Sequence, residues 1–172
     1  MSQQPAEAAP HATTSTSVSA TVGAASAELA AADAAAALAR RCAGAMWADD
    51  RASQQLGMRL ESVSPGRATL SMRIRRDMTN GHGIAHGGPI FALADSAFAF
   101  ACNSYNERVV AQACDIVFVA AVEEGDELVA EAVERTRFGR NGIYDVRVTR
   151  GGEVVAEFRG RSRAVGGTVV SS

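Results

Sequence analysis

The chain has 172 residues, 47% hydrophobic, 21% charged and 5% aromatic, with a formal net charge of -2 from 17 basic and 19 acidic side chains. That length and composition suit one globular domain with a single core, and the charge balance gives no electrostatic reason to expect nucleic acid as a partner. Cys42, Cys102 and Cys114 are odd in number and spaced neither as a metal clip nor as a redox pair, which predicts free thiols in a reducing compartment.

Residues 1–35 are Ala, Ser, Thr and Gln with almost no large apolar side chain. Burial in such a segment cannot offset its ordering entropy. Disorder is expected over 1–25, and helix over 24–39 from the alanines. No basic residue precedes Arg40 and no apolar core follows the start, so a secretory signal is not expected. No apolar run approaches the about 20 residues of a membrane span. The expected location is the cytoplasm, with no membrane partner.

Leu38, Cys42, Ala45 and Met46 recur at helical spacing, predicting a helix over 38–52. Asp49 and Asp50 mark a stop or turn, because acids suit helix N-termini better than C-termini. Strands are predicted at 56–63 and 68–75. In the second, Ala68, Leu70, Met72 and Ile74 alternate with polar residues, the period-2 pattern of a strand with one buried face. Ser64-Pro65-Gly66 is the turn between them.

A helix is predicted next, with Pro89 at its first position and Gly87 and Gly88 just before it. From Ile90 to Cys102 the residues are almost all apolar, so the helix is a buried one. Asn103 and Ser104 end it. Four more strands are predicted, at 109–119, 127–137, 143–149 and 154–163. Gly151-Gly152 reads as a tight hairpin. The order is helix, two strands, long helix, four strands. That is α+β: a largely antiparallel sheet with a helix on one face. The domain is expected over 36–166, with a flexible C-terminus at 167–172.

Asp95 stands inside the apolar helix. A buried carboxylate is costly unless it is paired, hydrogen-bonded or used. It either faces water at an edge, caps neighbouring backbone, or serves as base or nucleophile in a cleft. Backbone N–H groups at the start of this helix have no intrahelical partner. Glycines there let a ligand oxygen come close, and the helix dipole favours negative charge. Gly87 and Gly88 are therefore candidates for an oxyanion hole, the bland alternative being a plain loop-to-helix turn. His82 and His86 are four apart but not on one helix, and no third ligand is nearby, so no metal site is expected. His86 orients the loop or bonds the substrate, and Asn80 offers an amide N–H to a carbonyl or to water. There is no Gly-x-Ser-x-Gly elbow and no Walker loop. Ser96 adjoins Asp95 but does not face it.

Asn80-Gly81-His82, then His86-Gly87-Gly88, then Phe91-Ala92-Leu93-Ala94-Asp95-Ser96-Ala97-Phe98 resembles the signature of the PaaI branch of hotdog-fold thioesterases. Gly139-Arg140-Asn141-Gly142 and Ala156-Glu157-Phe158-Arg159-Gly160-Arg161 are similar to its later strands. The likeness runs from about Met46 to Ala164, and the nine-residue offset from His86 to Asp95 is its specific part.

The resemblance implies a long central helix wrapped by a curved antiparallel sheet of five to six strands. It implies dimers with a continuous sheet, usually paired into tetramers, with active sites at the dimer interface. It further implies hydrolysis of acyl-CoA thioesters, phenylacetyl-CoA or hydroxylated aromatic acyl-CoA, without a cofactor. By its pattern Asp95 is base or nucleophile, Gly87 polarises the carbonyl with Gly88 adjacent, Asn80 supplies an amide, and His86 is the loop histidine. One departure is Ala113, where some members carry a serine or threonine facing the water. Arg137, Arg140 and Arg161 are open to two readings, CoA phosphate contacts or solvated strand-end charges. The rival functions are a non-catalytic acyl-CoA-binding module and a hotdog enoyl-CoA hydratase or dehydratase.

Overall fold

A computed structural model describes the backbone of residues 16–171 and the side chains of residues 26–171. The chain divides into two compact units, Met1–Asp33 and Ala34–Ser172. In the first, the described backbone is helical from Thr16. Residues 16–25 of the stretch expected to be disordered have helical backbone, and residues 1–15 lie outside the described residues. The two predicted helices are one, α1, Thr16–Asp49, because the alanine run carries no breaker between them.

The stop at Asp49 has a local cause. Asp50 is the N-cap of a short helix, α2, Arg51–Gln55, and its side chain accepts from the Ser53 N–H. The acid therefore serves the next helix rather than opposing the end of α1. Gly57, at φ 74, closes α2 by donating to the Gln54 carbonyl. That turn moves the first strand, β1, to Met58–Ser64, two residues later than expected.

The strands that follow are β2, Arg67–Arg73; β3, Val109–Phe118; β4, Glu127–Phe138; β5, Asn141–Arg150; and β6, Glu153–Ala164. They form one antiparallel sheet in the order β1-β2-β4-β5-β6-β3. The β5–β6 turn is Gly151-Gly152, both at positive φ (56 and 91), the conformation glycine adopts without steric cost. β3 ends up at the far edge of the sheet, although it follows the central helix directly in sequence.

That helix, α3, spans Gly87–Cys102. His86 is its N-cap, so Gly87 and Gly88 are its first two residues and Pro89 its third, not its first. Proline is tolerated there because the first turn needs no N–H donor. Every residue of α3 except Gly88 is buried or half-buried. Phe98 packs on the sheet, 5.5 Å from the Tyr144 ring and 5.9 Å from that of Phe158. This approach depends on Gly160 in β6, where a Cβ would sit 2.8 Å from Phe98. The core is this helix against the inward faces of β2, β4, β5 and β6, with Leu70, Met72, Leu128, Val146 and Val148 fully buried.

The C-terminal residues up to 171 make hydrogen bonds to the domain. Asn106 has a left-handed backbone (φ 60). Its Oδ1 accepts from the Val169 and Val170 N–H groups at 3.0 and 2.8 Å. Its Nδ2 donates to the Val170 carbonyl at 3.1 Å. Those bonds replace the water that a free tail would need.

Candidate active site

Two places on α3 carry the polar chemistry, its N-terminus and Asp95. At the N-terminus the preceding loop is stitched by its own backbone. Asn80 N–H donates to the Ile84 carbonyl at 2.8 Å, and Gly83 N–H returns to the Asn80 carbonyl at 3.0 Å. Asn80 Oδ1 accepts from the His82 N–H at 2.9 Å, an Asx-type turn. This fixes the amide and leaves its Nδ2 donor without a partner among the described residues. Ala85 N–H donates to the Val122 carbonyl at 2.7 Å and His86 N–H to that of Met78 at 2.8 Å, fastening the loop to its surroundings.

His86 Nδ1 accepts from the Gly88 N–H at 3.1 Å. An accepting Nδ1 requires the proton of a neutral ring to sit on Nε2. The Gly88 N–H is therefore engaged by the helix cap. Gly87 N–H meets no acceptor among the described residues. It borders a cleft of about 260 Å³ lined by Asn80, Ile84, Gly87, Ile90, Phe118 and Ala120 among others. A Cβ on Gly87 would fall 2.8 Å from Phe118 Cζ.

Asp95 lies two turns further along α3 and is half-buried. Burial raises its carboxyl above the usual range, and a hydrogen bond from Cys114 partly lowers it. The Cys114 thiol donates to Asp95 Oδ1 at 3.7 Å. That thiol is itself pushed up to about 11 by burial and by the facing carboxylate, so it stays a neutral donor at physiological pH. No arginine or histidine forms an ion pair with Asp95 among the described residues. A half-buried carboxylate without a cation holds its proton more tightly and is the stronger base for it.

Cys114, not Ala113, occupies the strand position that faces Asp95. The β3–β6 register slips at Gln112, passing from Ala111 opposite Ser162 to Ala113 opposite Arg161. This bulge inverts the alternation along β3 and turns Cys114 and Ile116 inward. Sequence reasoning missed both Cys114 and Phe118. The only signal for the first was the parity break across the bulge, and for the second its place at the end of an apolar strand. Ser96 points elsewhere, with its Oγ 2.9 Å from Ser53 Oγ. Among the described residues no three His, Cys, Asp or Glu side chains are grouped to hold a metal.

The arginines have protein partners. Arg137 bonds Glu107 at 2.7 Å and lies 4.1 Å over the Tyr105 ring. Arg140 donates to the Ala164 carbonyl, and Arg161 pairs with Asp115 at 3.2 Å.

The site's two halves are separated. The eight helical steps from Gly87 to Asp95 give an axial rise of about 12 Å. One carbonyl cannot touch both in a single chain.

The family description "Thioesterase superfamily" matches residues 82–157. The acyl-coenzyme A thioesterase PaaI of Escherichia coli (strain K12) is 41% identical over 128 residues, 74% of this chain and 91% of that protein. The structure of the E. coli PaaI protein from the phenylacetic acid degradation operon superposes with a TM-score of 0.76 at 40% identity, covering 77% of this chain and 97% of that one. A mutant of the phenylacetic acid degradation protein PaaI from Thermus thermophilus matches at TM-score 0.64 and 35% identity, over 66% and 97% of the two chains. The chain belongs to the hotdog-fold thioesterase superfamily, among the acyl-CoA thioesterases of the PaaI type.

Proposed function

We propose that this protein hydrolyses acyl-CoA thioesters, with phenylacetyl-CoA or a hydroxylated aromatic acyl-CoA as substrate, at a site shared by two subunits. The carrying observation is the free Gly87 N–H on the same helix as the unpaired Asp95 carboxylate, too far apart to serve one carbonyl from one chain. Two antiparallel copies bring the helix start of one to the carboxylate of the other.

The edge strand supports that assembly. Among the described residues β3 has no neighbour on its outer side, and Val110, Val117, Phe118 and Val119 are 49%, 65%, 48% and 60% exposed. A long apolar edge invites pairing with another strand. Pairing β3 with its copy gives a continuous sheet, and a dimer or tetramer in the cytoplasm is the expected form.

In the proposed reaction the thioester oxygen accepts from the Gly87 N–H, and Asn80 Nδ2 holds the attacking water or the thioester. Asp95 of the facing subunit takes a proton from the water. The hydroxide adds to the carbonyl carbon, and the negative charge develops on the oxygen at the helix N-terminus. Collapse of the adduct breaks the C–S bond. CoA leaves as the thiol, with the proton that Asp95 had taken, and the free acid remains. His86 holds the loop that aims Gly87. Its Nδ1 is engaged in the cap, which disfavours the hydratase reading, where a histidine shuttles protons.

The test is thiol release from a panel of acyl-CoAs by wild type and by Asp95→Asn. Release by wild type, lost in a folded Asp95→Asn, supports the reading. Tight binding of the esters with no release from any of them would favour a binding module instead.

A further inference from the structure

The chain segments of α3 and β3 meet at three levels. At one end Gly87 lies under Phe118. In the middle Asp95 meets Cys114. At the other end Asn103 Nδ2 donates to the Val109 carbonyl at 3.0 Å, and its Oδ1 accepts from the Val109 N–H at 2.9 Å. The proposed reaction uses the first two levels and leaves the third unexplained.

The third level opens into a cavity of about 400 Å³. Its walls include Met46 of α1, Ala99 of α3, Val109 and Val110 of β3, and Val165 and Val169 of the C-terminal segment. Asn103, the polar group at its base, also donates to the Ala99 carbonyl at 3.0 Å, so its hydrogen-bonding capacity is used within the protein. Asp49, Arg108 and Thr168, all exposed, stand at the margin. The C-terminal wall is a built feature. Asn106 bonds Val169 and Val170 three times, and Arg41 donates to the Ser171 carbonyl at 3.0 Å.

We propose that this cavity seats the acyl group of the substrate, and that the C-terminal strap sets how large that group can be. The inference rests on the thioesterase reading above. Ala99 is one helical turn from Asp95, on the same stripe of α3 and about 6 Å along the axis. A thioester carbon held against the Asp95 carboxylate is therefore a few bonds from the cavity mouth. The lining selects the chemistry. Valines, alanines and a methionine suit an aromatic ring or a medium straight chain. One arginine and one aspartate at the margin do not make a cluster for the phosphates of CoA. The volume lies within the about 300–1,000 Å³ of cavities that take small molecules. The thioester thus divides the ligand, with the acyl group toward α1 and the strap, and the CoA portion away from them.

The experiment is a set of kcat/KM values for acetyl- through decanoyl-CoA and phenylacetyl-CoA, measured on wild type, Val169→Trp and Val169→Ala. Filling the cavity with tryptophan lowers the ratio of phenylacetyl or octanoyl to acetyl turnover by at least about tenfold, the scale on which apolar pockets discriminate by size. Val169→Ala moves the straight-chain optimum to longer acyl groups. Should Val169→Trp fail to fold, the shift in Val169→Ala decides. Profiles that keep their shape in both variants, or fall by one factor for every substrate, overturn the acyl-pocket assignment while leaving the hydrolase intact. Absence of thiol release by wild type from every member would remove the hydrolase reading, and the assignment with it.

Discussion

The Cys114 thiol donates to Asp95 Oδ1 across 3.7 Å, from a strand position that the bulge at Gln112 turns toward the helix. The bond favours the ionised carboxylate, whereas burial opposes it. Cys114→Ala removes the favourable part and raises the Asp95 pKa further. The acid limb of the kcat/KM against pH profile then moves to higher pH, and Cys114→Ser restores most of the shift. An acid limb unmoved in Cys114→Ala would separate the thiol from the titrating group.

Asp95 also bears on stability. Its folded-state pKa is raised, so the native state binds the proton more tightly than the unfolded chain does. Stability therefore falls as pH rises from the unfolded carboxylate value through the folded one, and the full cost is present above both. Asp95→Asn removes that cost. Its melting temperature exceeds that of wild type at pH 7, and the difference shrinks at pH values below the ordinary aspartate range. A difference independent of pH would mean that the carboxylate's ionisation contributes nothing to it.

At the helix start, Gly87→Ala places a methyl 2.8 Å from Phe118 Cζ. Either the ring moves or the N–H does, and a displaced oxyanion donor typically costs about 10²–10³ in rate. The double change Gly87→Ala with Phe118→Leu relieves the contact and recovers part of the loss. Initial rates on one acyl-CoA, with melting curves as a fold check, measure both. Equal rates for wild type and Gly87→Ala would reject the donor role.

The proposed sharing of the site between two subunits makes a sharper prediction. Asp95→Asn and Gly87→Ala are each poor alone, because every site lacks one half. After unfolding and refolding together, mixed dimers contain one site with both halves intact. With random pairing the mixture regains about a quarter of wild-type activity. Recovery no greater than the average of the two parents would place Gly87 and Asp95 of one chain in the same site.

His86 caps α3 through Nδ1. His86→Ala leaves the Gly88 N–H without its partner and costs about 1 kcal/mol of stability, with a lower rate from a looser helix start. His86→Asn, which can cap, keeps most of the stability, as chemical denaturation would show.

Much of this was legible in the residues. The alternation through Ala68, Leu70 and Met72, the unbroken apolar run after Ile90, and Gly151-Gly152 each report a local preference that the fold keeps. The candidate site is proposed where side-chain type suggests the chemistry, as with a carboxylate inside an apolar helix. What stayed hidden depends on distant partners. The engagement of the Gly88 N–H by His86 follows from the cap geometry, not from the glycines. Cys114 faces the carboxylate because a bulge reverses the alternation of β3, and nothing in Gln112 announces a bulge. The ordered C-terminus depends on Asn106, more than 60 residues earlier in the chain.

β3 packs on the helix and is itself an open edge of the sheet, and its residues divide accordingly. Cys114 and Ile116 look inward to α3, while the outer backbone and the exposed valines form the edge proposed to pair with another strand. Two demands thus fall on the same ten residues. A saturation scan should find both parities of this strand intolerant, one set through loss of turnover and the other through loss of activity on dilution. At β1, the opposite edge, only the inward set should matter. Adaptation to a new acyl group is then easiest where neither demand applies, in the α1 and C-terminal walls.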